Sequence, residues 1–199
     1  MRNPHSITAD LEAAICEYTG AKYAVAVNSC TMALELAFLW AKYLGMAKEV
    51  TIPSRTYVSV PQAIVRAGFR VRYRDYRWEG EYWLDPYPIW DSAKRFTSGM
   101  YRPNQFQCVS FHVAKIFGDT QGGAILHDCL EADEFFRLAR FDGRRPIHVR
   151  EDCITLPTKY VRHCYMSPDV AARLLNHFQY LPRHNEDQQE EYADISYIR

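Results

Sequence analysis

Short apolar segments typical of strands alternate with longer helical segments along most of this chain. The pattern begins with a helix start near 6–10, a strand at 23–27, a helix at 31–44 and a strand at 49–52. A helix is the usual crossover between parallel strands, so this alternation predicts an α/β fold whose sheet is largely parallel.

The same alternation continues to residue 180 with less regular connections. Further helices are expected at 60–67, 130–140 and 167–180, and further strands at 69–73, 87–91, 107–111 and 122–127. Three segments lack a clear period: 75–88 is expected to be irregular surface structure, 141–160 an arginine-bearing loop, and 183–199 a solvated helix.

Composition excludes several classes of protein. The 199 residues include 24 basic and 24 acidic side chains, so no net charge draws the chain to nucleic acid or a membrane surface. No apolar run reaches the roughly 18 residues that a membrane span needs. The six cysteines form no CxxC pair and no common zinc pattern. We therefore expect a reduced, cytoplasmic protein with no metal site and no structural disulfide.

Ligands of parallel α/β sheets bind at the carboxyl ends of the strands, which directs attention to the residues that follow each strand. Ser29, Cys30 and Thr31 lie between the first strand and a helix, where free backbone N–H groups favour a phosphate. An ordinary helix cap explains the same residues equally well.

Three other strand ends carry complementary side chains. Tyr57 is suited to stacking on a ring, or is simply a core aromatic residue. Asp91 is suited to holding a protonated ring nitrogen, or caps the next turn. Lys115, just beyond a buried strand, is suited to forming a Schiff base, or is an ordinary lysine that extends to solvent.

Taken together and in order, these segments resemble the DegT/DnrJ/StrS family of sugar aminotransferases, fold type I enzymes that use pyridoxal 5'-phosphate (PLP). The Ser-Phe-His-Val-Ala-Lys sequence of 110–115, followed by Gly-Gly-Ala, is the most specific part. The matching segments are Glu12–Ser29, Pro53–Val58, Trp90–Ala93, Ser110–Lys115, Gly122–Ala124 and Tyr165–Ser167.

The resemblance implies a role for each of these residues. Lys115 would form the Schiff base with PLP, and Asp91 would pair with the pyridinium nitrogen so that the ring acts as an electron sink. Tyr57 would stack on the ring, and His112 would lie near the lysine. The phosphate would be held by Thr31, Ser110 and the backbone N–H groups around Ser29 and Cys30.

Three positions depart from the family pattern. Lys94 stands where the family usually has Gln beside the 3-hydroxyl of the cofactor; it would contact the phenolate or an anionic substrate, or be solvated. Cys30 replaces a Gly and would reshape the phosphate turn. His163 replaces an Asn that reaches the partner subunit's cofactor phosphate in relatives; it would donate there, or be a surface histidine.

The resemblance also implies an overall organisation. The expected fold is a three-layer α/β/α arrangement with a mainly parallel central sheet, the fold type I large domain. Residues 1–160 would form this PLP-binding domain, and 161–199 a helical extension, the remnant of a C-terminal small domain that is otherwise largely absent. Family members are homodimers with shared active sites, so a homodimer is expected.

The predicted function is a PLP-dependent transferase of the sugar-aminotransferase type. It would act on an amino acid and on a second small-molecule or nucleotide-linked substrate. One alternative is a PLP enzyme that forms carbon–carbon bonds or transfers an amino acid on a modified nucleobase in DNA, as in phage hypermodification. Another is a non-catalytic PLP-binding regulatory protein.

The DNA alternative depends on a run of arginines that would contact phosphates. The zero net charge does not favour it, and a solvated basic loop interrupted by acidic residues explains the same sequence. The arginines are Arg140, Arg144, Arg145 and Arg150, and the interrupting residues are Asp142 and Glu151.

Overall fold

A computed structural model describes residues 3–46, 48–145 and 155–198 of the chain. The helices are α1 (Ser6–Thr19), α2 (Cys30–Tyr43), α3 (Ser59–Ala67), α4 (Leu130–Ala139) and α5 (Pro168–Phe178). The strands are β1 (Tyr23–Val27), β2 (Glu49–Pro53), β3 (Arg70–Arg74), β4 (Tyr82–Trp83), β5 (Ile89–Asp91), β6 (Phe106–Ser110) and β7 (Gly123–His127). The predicted alternation of strands and helices is confirmed to within one or two residues at most ends.

The strands form a mixed sheet. Five of them pair in the order β1-β7-β6-β5-β4, with β5 and β6 parallel and the other three pairs antiparallel. The parallel pair β2–β3 continues beyond β4, because the Thr51 N–H donates to the Asp85 carbonyl over 2.8 Å. The prediction of a mainly parallel sheet is therefore wrong: three of the five described strand pairs are antiparallel, because β4 and β7 run opposite to β1, β5 and β6.

Alternate residues of the central strands face two separate cores, which makes the fold three-layered. In β1, Val25 and Val27 pack with the buried faces of α2, α3 and α4. Ala24 and Ala26 point to the opposite side and pack with α1 and α5. The predicted α/β/α arrangement follows from this separation.

The predicted irregular backbone of 75–88 is confirmed outside one short strand, but the predicted surface location is wrong for six of its fourteen residues, which are buried. The segment contributes β4, and four of its side chains are in the core: Trp78, Tyr82, Leu84 and Tyr87. Large aromatic side chains bury more apolar area than any other, so they fill the space beside β5 even in an irregular backbone.

The predicted helix over 183–199 is also wrong. Residues 183–198 contain no helix, and the part from 185 to 195, here called the strap segment, runs across the body of the protein. Its acidic residues Glu190 and Asp187 form ion pairs with Arg77 and Arg95 of the protein body. A helix surrounded by solvent would not make these contacts. Within 161–198 the described structure has one α-helix, α5, which packs on α1. The domain boundary at residue 160 stays a prediction.

A buried ion network fixes α1 and α4 against β1. Glu12 is 4% exposed, and its carboxylate accepts from Arg137, Arg140 and the Ala26 N–H. These partners hold the pKa of Glu12 below its usual range despite its burial. Arg140 is 9% exposed and also donates to the Ala26 carbonyl, so its predicted role as a DNA-phosphate contact is wrong.

Some predictions fall on residues that are not described. Arg150, Glu151 and Cys153 lie in the range 146–154, outside the described residues. The other five cysteines are free thiols. No helix within the described ranges combines the length and apolarity needed to cross a membrane.

Candidate active site

A cavity of about 370 Å³ lies where β1, β5 and β6 end and α2 begins. Eight of the ten predicted site residues line it: Ser29, Cys30, Thr31, Tyr57, Asp91, Ser110, His112 and Lys115. Residues from four separate parts of the sequence therefore meet at one edge of the sheet, as the strand-end rule predicts.

One wall of the cavity is the N-terminus of α2. Ser29 is the extended N-cap residue, and its hydroxyl accepts from the Met32 N–H over 3.3 Å. The hydroxyls of Thr31 and Ser59 lie 2.7 Å apart on the same wall. The positive end of the helix dipole and these hydroxyls are chemically suited to an anion.

Gly123 allows β7 to approach the start of α2 closely. A Cβ atom on this residue would lie 2.5 Å from the Cys30 nitrogen and 2.8 Å from the Val109 carbonyl oxygen. The side chain of Cys30 points away from solvent to the Cys108 carbonyl, at 3.5 Å, and burial raises the pKa of its thiol. Only glycine fits this contact between strand and helix start.

Asp91, the last residue of β5, places a carboxylate inside the cavity wall with 4% exposure. Its Oδ2 accepts from the Tyr82 hydroxyl over 2.7 Å, and its Oδ1 accepts from the Ala93 N–H over 3.0 Å. Tyr82 in turn lies 2.6 Å from the Thr56 hydroxyl. Burial raises the pKa of Asp91, and the two hydrogen bonds offset part of that increase.

Lys115 enters the same cavity from the loop after β6. Its Nζ donates to the Tyr192 hydroxyl over 3.3 Å. Burial lowers the pKa of Lys115, the nearby cation of Lys94 lowers it further, and the charge of Asp91 acts in the opposite direction. A lysine of this kind holds more of the neutral, nucleophilic amine near neutral pH than an exposed one does.

Three further predicted residues complete the cavity. Ser110 ends β6, and its hydroxyl accepts from the His112 N–H over 3.4 Å. The His112 imidazole accepts from the Ala114 N–H over 3.4 Å, which turns the ring back to its own loop. Tyr57 is 55% exposed at the rim, so the interpretation as a core aromatic residue is wrong.

Lys94 and His163 are not among the residues that line this cavity. The Lys94 ammonium donates to the Gln189 carbonyl and lies 5.3 Å from the centre of the Tyr192 ring, directly behind the cavity wall. His163 is exposed and pairs with Asp142 over 2.8 Å. Within a single chain, His163 is therefore a surface histidine, which is the alternative that the sequence left open for it.

Several residues that line or support the cavity were not predicted from sequence, among them Ser59, Trp78, Tyr82 and Tyr192. Tyr82 lies directly opposite Asp91 in the β4–β5 pair. The prolines Pro86 and Pro88 between these strands are a turn signal from which a hairpin, and so this pairing, could have been predicted. Tyr192 carries no local signal, because long-range contacts of the strap segment bring it to the cavity.

The sequence model of the DegT/DnrJ/EryC1/StrS aminotransferase family matches residues 5–100. This match confirms the resemblance over these residues, which are just under half of the chain. It includes the start of α2, Tyr57, Asp91 and Lys94, but ends before Lys115.

Three of the solved structures that share this fold are described here. DesV of S. venezuelae, in complex with a ketimine intermediate, is 18% identical with a TM-score of 0.64. A putative PLP-dependent aminotransferase from Bacillus cereus is 19% identical with a TM-score of 0.67. The putative sugar aminotransferase Spr1654 from Streptococcus pneumoniae, in its PLP form, is 18% identical with a TM-score of 0.63.

These structures confirm the predicted fold class, the fold type I large domain. Each match covers 87% of this chain but only 57% to 60% of the solved chain. The chain therefore spans less than two thirds of the length of these relatives.

Proposed function

We propose that this chain, whose residues 5–100 carry the DegT/DnrJ/EryC1/StrS family pattern on a fold type I framework, is a PLP-dependent enzyme of the sugar-aminotransferase type. Lys115 is the proposed Schiff-base lysine. The amino donor is an amino acid, and the acceptor is a second small molecule such as a nucleotide-linked keto sugar.

The observation that carries this proposal is the buried carboxylate of Asp91 in the same cavity as the Lys115 amine. Asp91 is hydrogen-bonded only to neutral groups, and within the described ranges it has no ion pair. An unpaired buried charge is costly, so such a carboxylate is suited to a cationic partner that arrives with a ligand. A protonated pyridine nitrogen is such a partner.

The remaining walls fit the other parts of PLP. The α2 N-terminus, with the hydroxyls of Thr31 and Ser59, is suited to the phosphate. Tyr57 at the rim is suited to covering one face of the ring. The cavity of about 370 Å³ is of a size typical of small-molecule sites.

When bound, PLP supplies an electron sink for the carbanion that forms at the α-carbon of an amino substrate. The chain supplies the proton chemistry around that sink. Asp91 would keep the ring nitrogen protonated, and Tyr82 holds the orientation of the Asp91 carboxylate by its hydrogen bond. Lys115, in its neutral form, takes and returns the proton at the substrate carbon.

A homodimer with shared active sites is part of the proposal. Three apolar side chains that line the cavity or follow lining residues are exposed in the single chain: Tyr57, Val58 and Val113. A second copy that covers this rim would shield the cavity from water. His163 would then act towards the partner's cavity. Sedimentation of the purified protein at several concentrations tests the assembly.

The half-reaction with an amino donor tests the proposed activity. PLP-loaded protein is mixed with glutamate in the absence of acceptor, and the 2-oxo acid formed is counted per protein chain. We expect about one equivalent from the wild type and none from Lys115→Ala. A wild-type protein that binds PLP but forms no 2-oxo acid from any amino acid would refute the aminotransferase assignment.

A further inference from the structure

The strap segment (185–195) reaches the cavity from outside the sheet and is attached on both sides of Tyr192. On one side, the Gln188 N–H donates to the Lys94 carbonyl over 3.0 Å, and the Gly80 N–H donates to the Gln188 carbonyl over 3.1 Å. On the other side, the Ser54 hydroxyl donates to Asp194 over 2.9 Å.

Buried groups strengthen these attachments. Glu190 is buried and pairs with Arg77, and Ile195 is buried and donates its N–H to the Ser54 carbonyl over 2.9 Å. The strap segment is therefore held to Ser54 after β2, to Lys94 after β5, and to Arg77 and Gly80 before β4. The position of Tyr192 between these attachments is fixed by the fold.

The Tyr192 side chain forms part of the cavity wall. Its ring packs 5.9 Å from the Tyr57 ring and 6.2 Å from the Trp78 ring, measured between centroids. Its hydroxyl accepts the hydrogen bond from Lys115 Nζ at 3.3 Å. Burial raises the pKa of Tyr192 to about 12, so the phenol stays neutral wherever the lysine is assayed.

We propose that Tyr192 is a positioning residue that holds the Lys115 amine towards the cavity through this hydrogen bond and shields it from water with its ring. The proposal rests on the proposed function in one respect, because it takes Lys115 to be the reactive amine. The hydrogen bond and the shielding have opposite effects on the protonation of that amine, so they can be separated by two variants.

Several groups act on the same amine and have to remain in place during the test. Asp91 from β5, Lys94 from the following loop and Cys30 from α2 act on it electrostatically, and His112 lies on the same wall. Tyr192→Phe keeps the ring that the Lys94 ammonium faces, so a shift of Lys115 protonation in that variant reports on the Tyr192 hydroxyl alone.

The test measures Lys115 protonation in PLP-free protein. Acetylation of Lys115 by acetic anhydride is followed against pH by peptide mass spectrometry, with the exposed Lys22 as internal reference. Tyr192→Phe keeps the ring but removes the acceptor of the N–H bond, so the midpoint falls by about 0.5 to 1 pH unit. Tyr192→Ala admits water to the Lys115 amine, so its midpoint rises.

Tyr197→Phe is the matched control, because Tyr197 lies in the same C-terminal stretch and is 79% exposed. It should leave the Lys115 midpoint unchanged. Opposite shifts in the two Tyr192 variants, with circular dichroism spectra like that of the wild type, support the positioning role. An unchanged midpoint in Tyr192→Phe, or a rise in both variants, overturns it.

The outcome is independent of PLP binding. If the wild type fails to bind PLP, the proposed function fails while the acetylation midpoints still decide the role of Tyr192. If PLP binds and Tyr192→Phe behaves as the wild type, only the positioning role is lost.

Discussion

The Tyr82 hydroxyl donates a 2.7 Å hydrogen bond to Asp91 Oδ2 from directly across the β4–β5 pair. Both residues are buried, and burial raises the pKa of each. The bond keeps the carboxylate oriented at the cavity wall and offsets part of its desolvation. The first two predictions follow from this pair.

Asp91→Asn should lower turnover and raise the stability of the folded protein. The raised pKa of Asp91 means that the folded protein loses stability as pH rises from the ordinary Asp value of about 3.9 up to the native value. PLP-free Asp91→Asn should therefore be more stable than the wild type at pH 8 and no more stable at pH 3.5. Turnover should fall about 100-fold or more.

Thermal unfolding at the two pH values, together with turnover at pH 8, checks this prediction. Asp10→Asn on the exposed side of α1 is the control and should change neither quantity. A variant that retains near-normal turnover would remove Asp91 from the mechanism.

Tyr82→Phe should act through Asp91. Loss of the donated hydrogen bond raises the pKa of Asp91 further, so the acid limb of the turnover–pH profile should move to higher pH. Stability should fall by about 1 kcal/mol. Tyr87→Phe is the matched control, because Tyr87 is also buried but bonds the Lys48 N–H away from the cavity. An acid limb that moves equally in both variants contradicts the role of Tyr82.

Gly123→Ala should selectively weaken phosphate binding. The added Cβ would lie 2.5 Å from the Cys30 nitrogen and push the start of α2 away from β7, at a cost of about 1–3 kcal/mol. Affinity for PLP should fall at least about 10-fold, and affinity for pyridoxal, which lacks the phosphate, should fall less.

Spectroscopic titration with the two ligands measures both affinities. Gly45→Ala strains a backbone with φ of +81° but has nothing within 4 Å, so it should lower stability and keep the PLP-to-pyridoxal ratio. An equal loss of both ligands in Gly123→Ala would count against a phosphate site at the α2 N-terminus.

Glu12→Gln should be strongly destabilising, because it leaves Arg137 and Arg140 without their shared carboxylate. Breaking a buried ion network of this kind costs about 3–5 kcal/mol. The lowered pKa of Glu12 means that its contribution is complete above the ordinary Glu value of about 4.3 and is lost as pH falls through the native value.

Urea unfolding at pH 7 should therefore show the large difference between Glu12→Gln and the wild type, and unfolding below pH 4 should show less of it. Glu17→Gln on the exposed side of the same helix should have little effect at either pH. Equal effects of the two variants at pH 7 contradict the network.

The local parts of the fold and site were predictable from sequence. The strand at 23–27, the helix that follows and the residues between them are defined by apolar period and by capping, which act over a few residues. The same reasoning brought Asp91 and Lys115 to one edge of the sheet, because parallel strands share their carboxyl ends.

The long-range parts were not predictable. Residues 75–88 and 183–198 have no period, and their positions depend on aromatic packing and ion pairs with residues far along the chain, such as Arg95 with Asp187. Arg140 was interpreted as a phosphate contact because its partner Glu12 lies 128 positions away in the sequence, where no local pattern reveals the pairing. Tyr192 was missed for the same reason.

Trapping PLP on Lys115 is the most direct test of the proposed function. The protein is incubated with PLP, reduced with borohydride, digested and examined by mass spectrometry. We predict one pyridoxyl adduct per chain, located on the peptide that contains Lys115, with loss of a visible absorbance band on reduction. Lys115→Ala should show neither band nor adduct. No adduct in the wild type, or adducts distributed over exposed lysines such as Lys22, would contradict the assignment of this cavity as a PLP site.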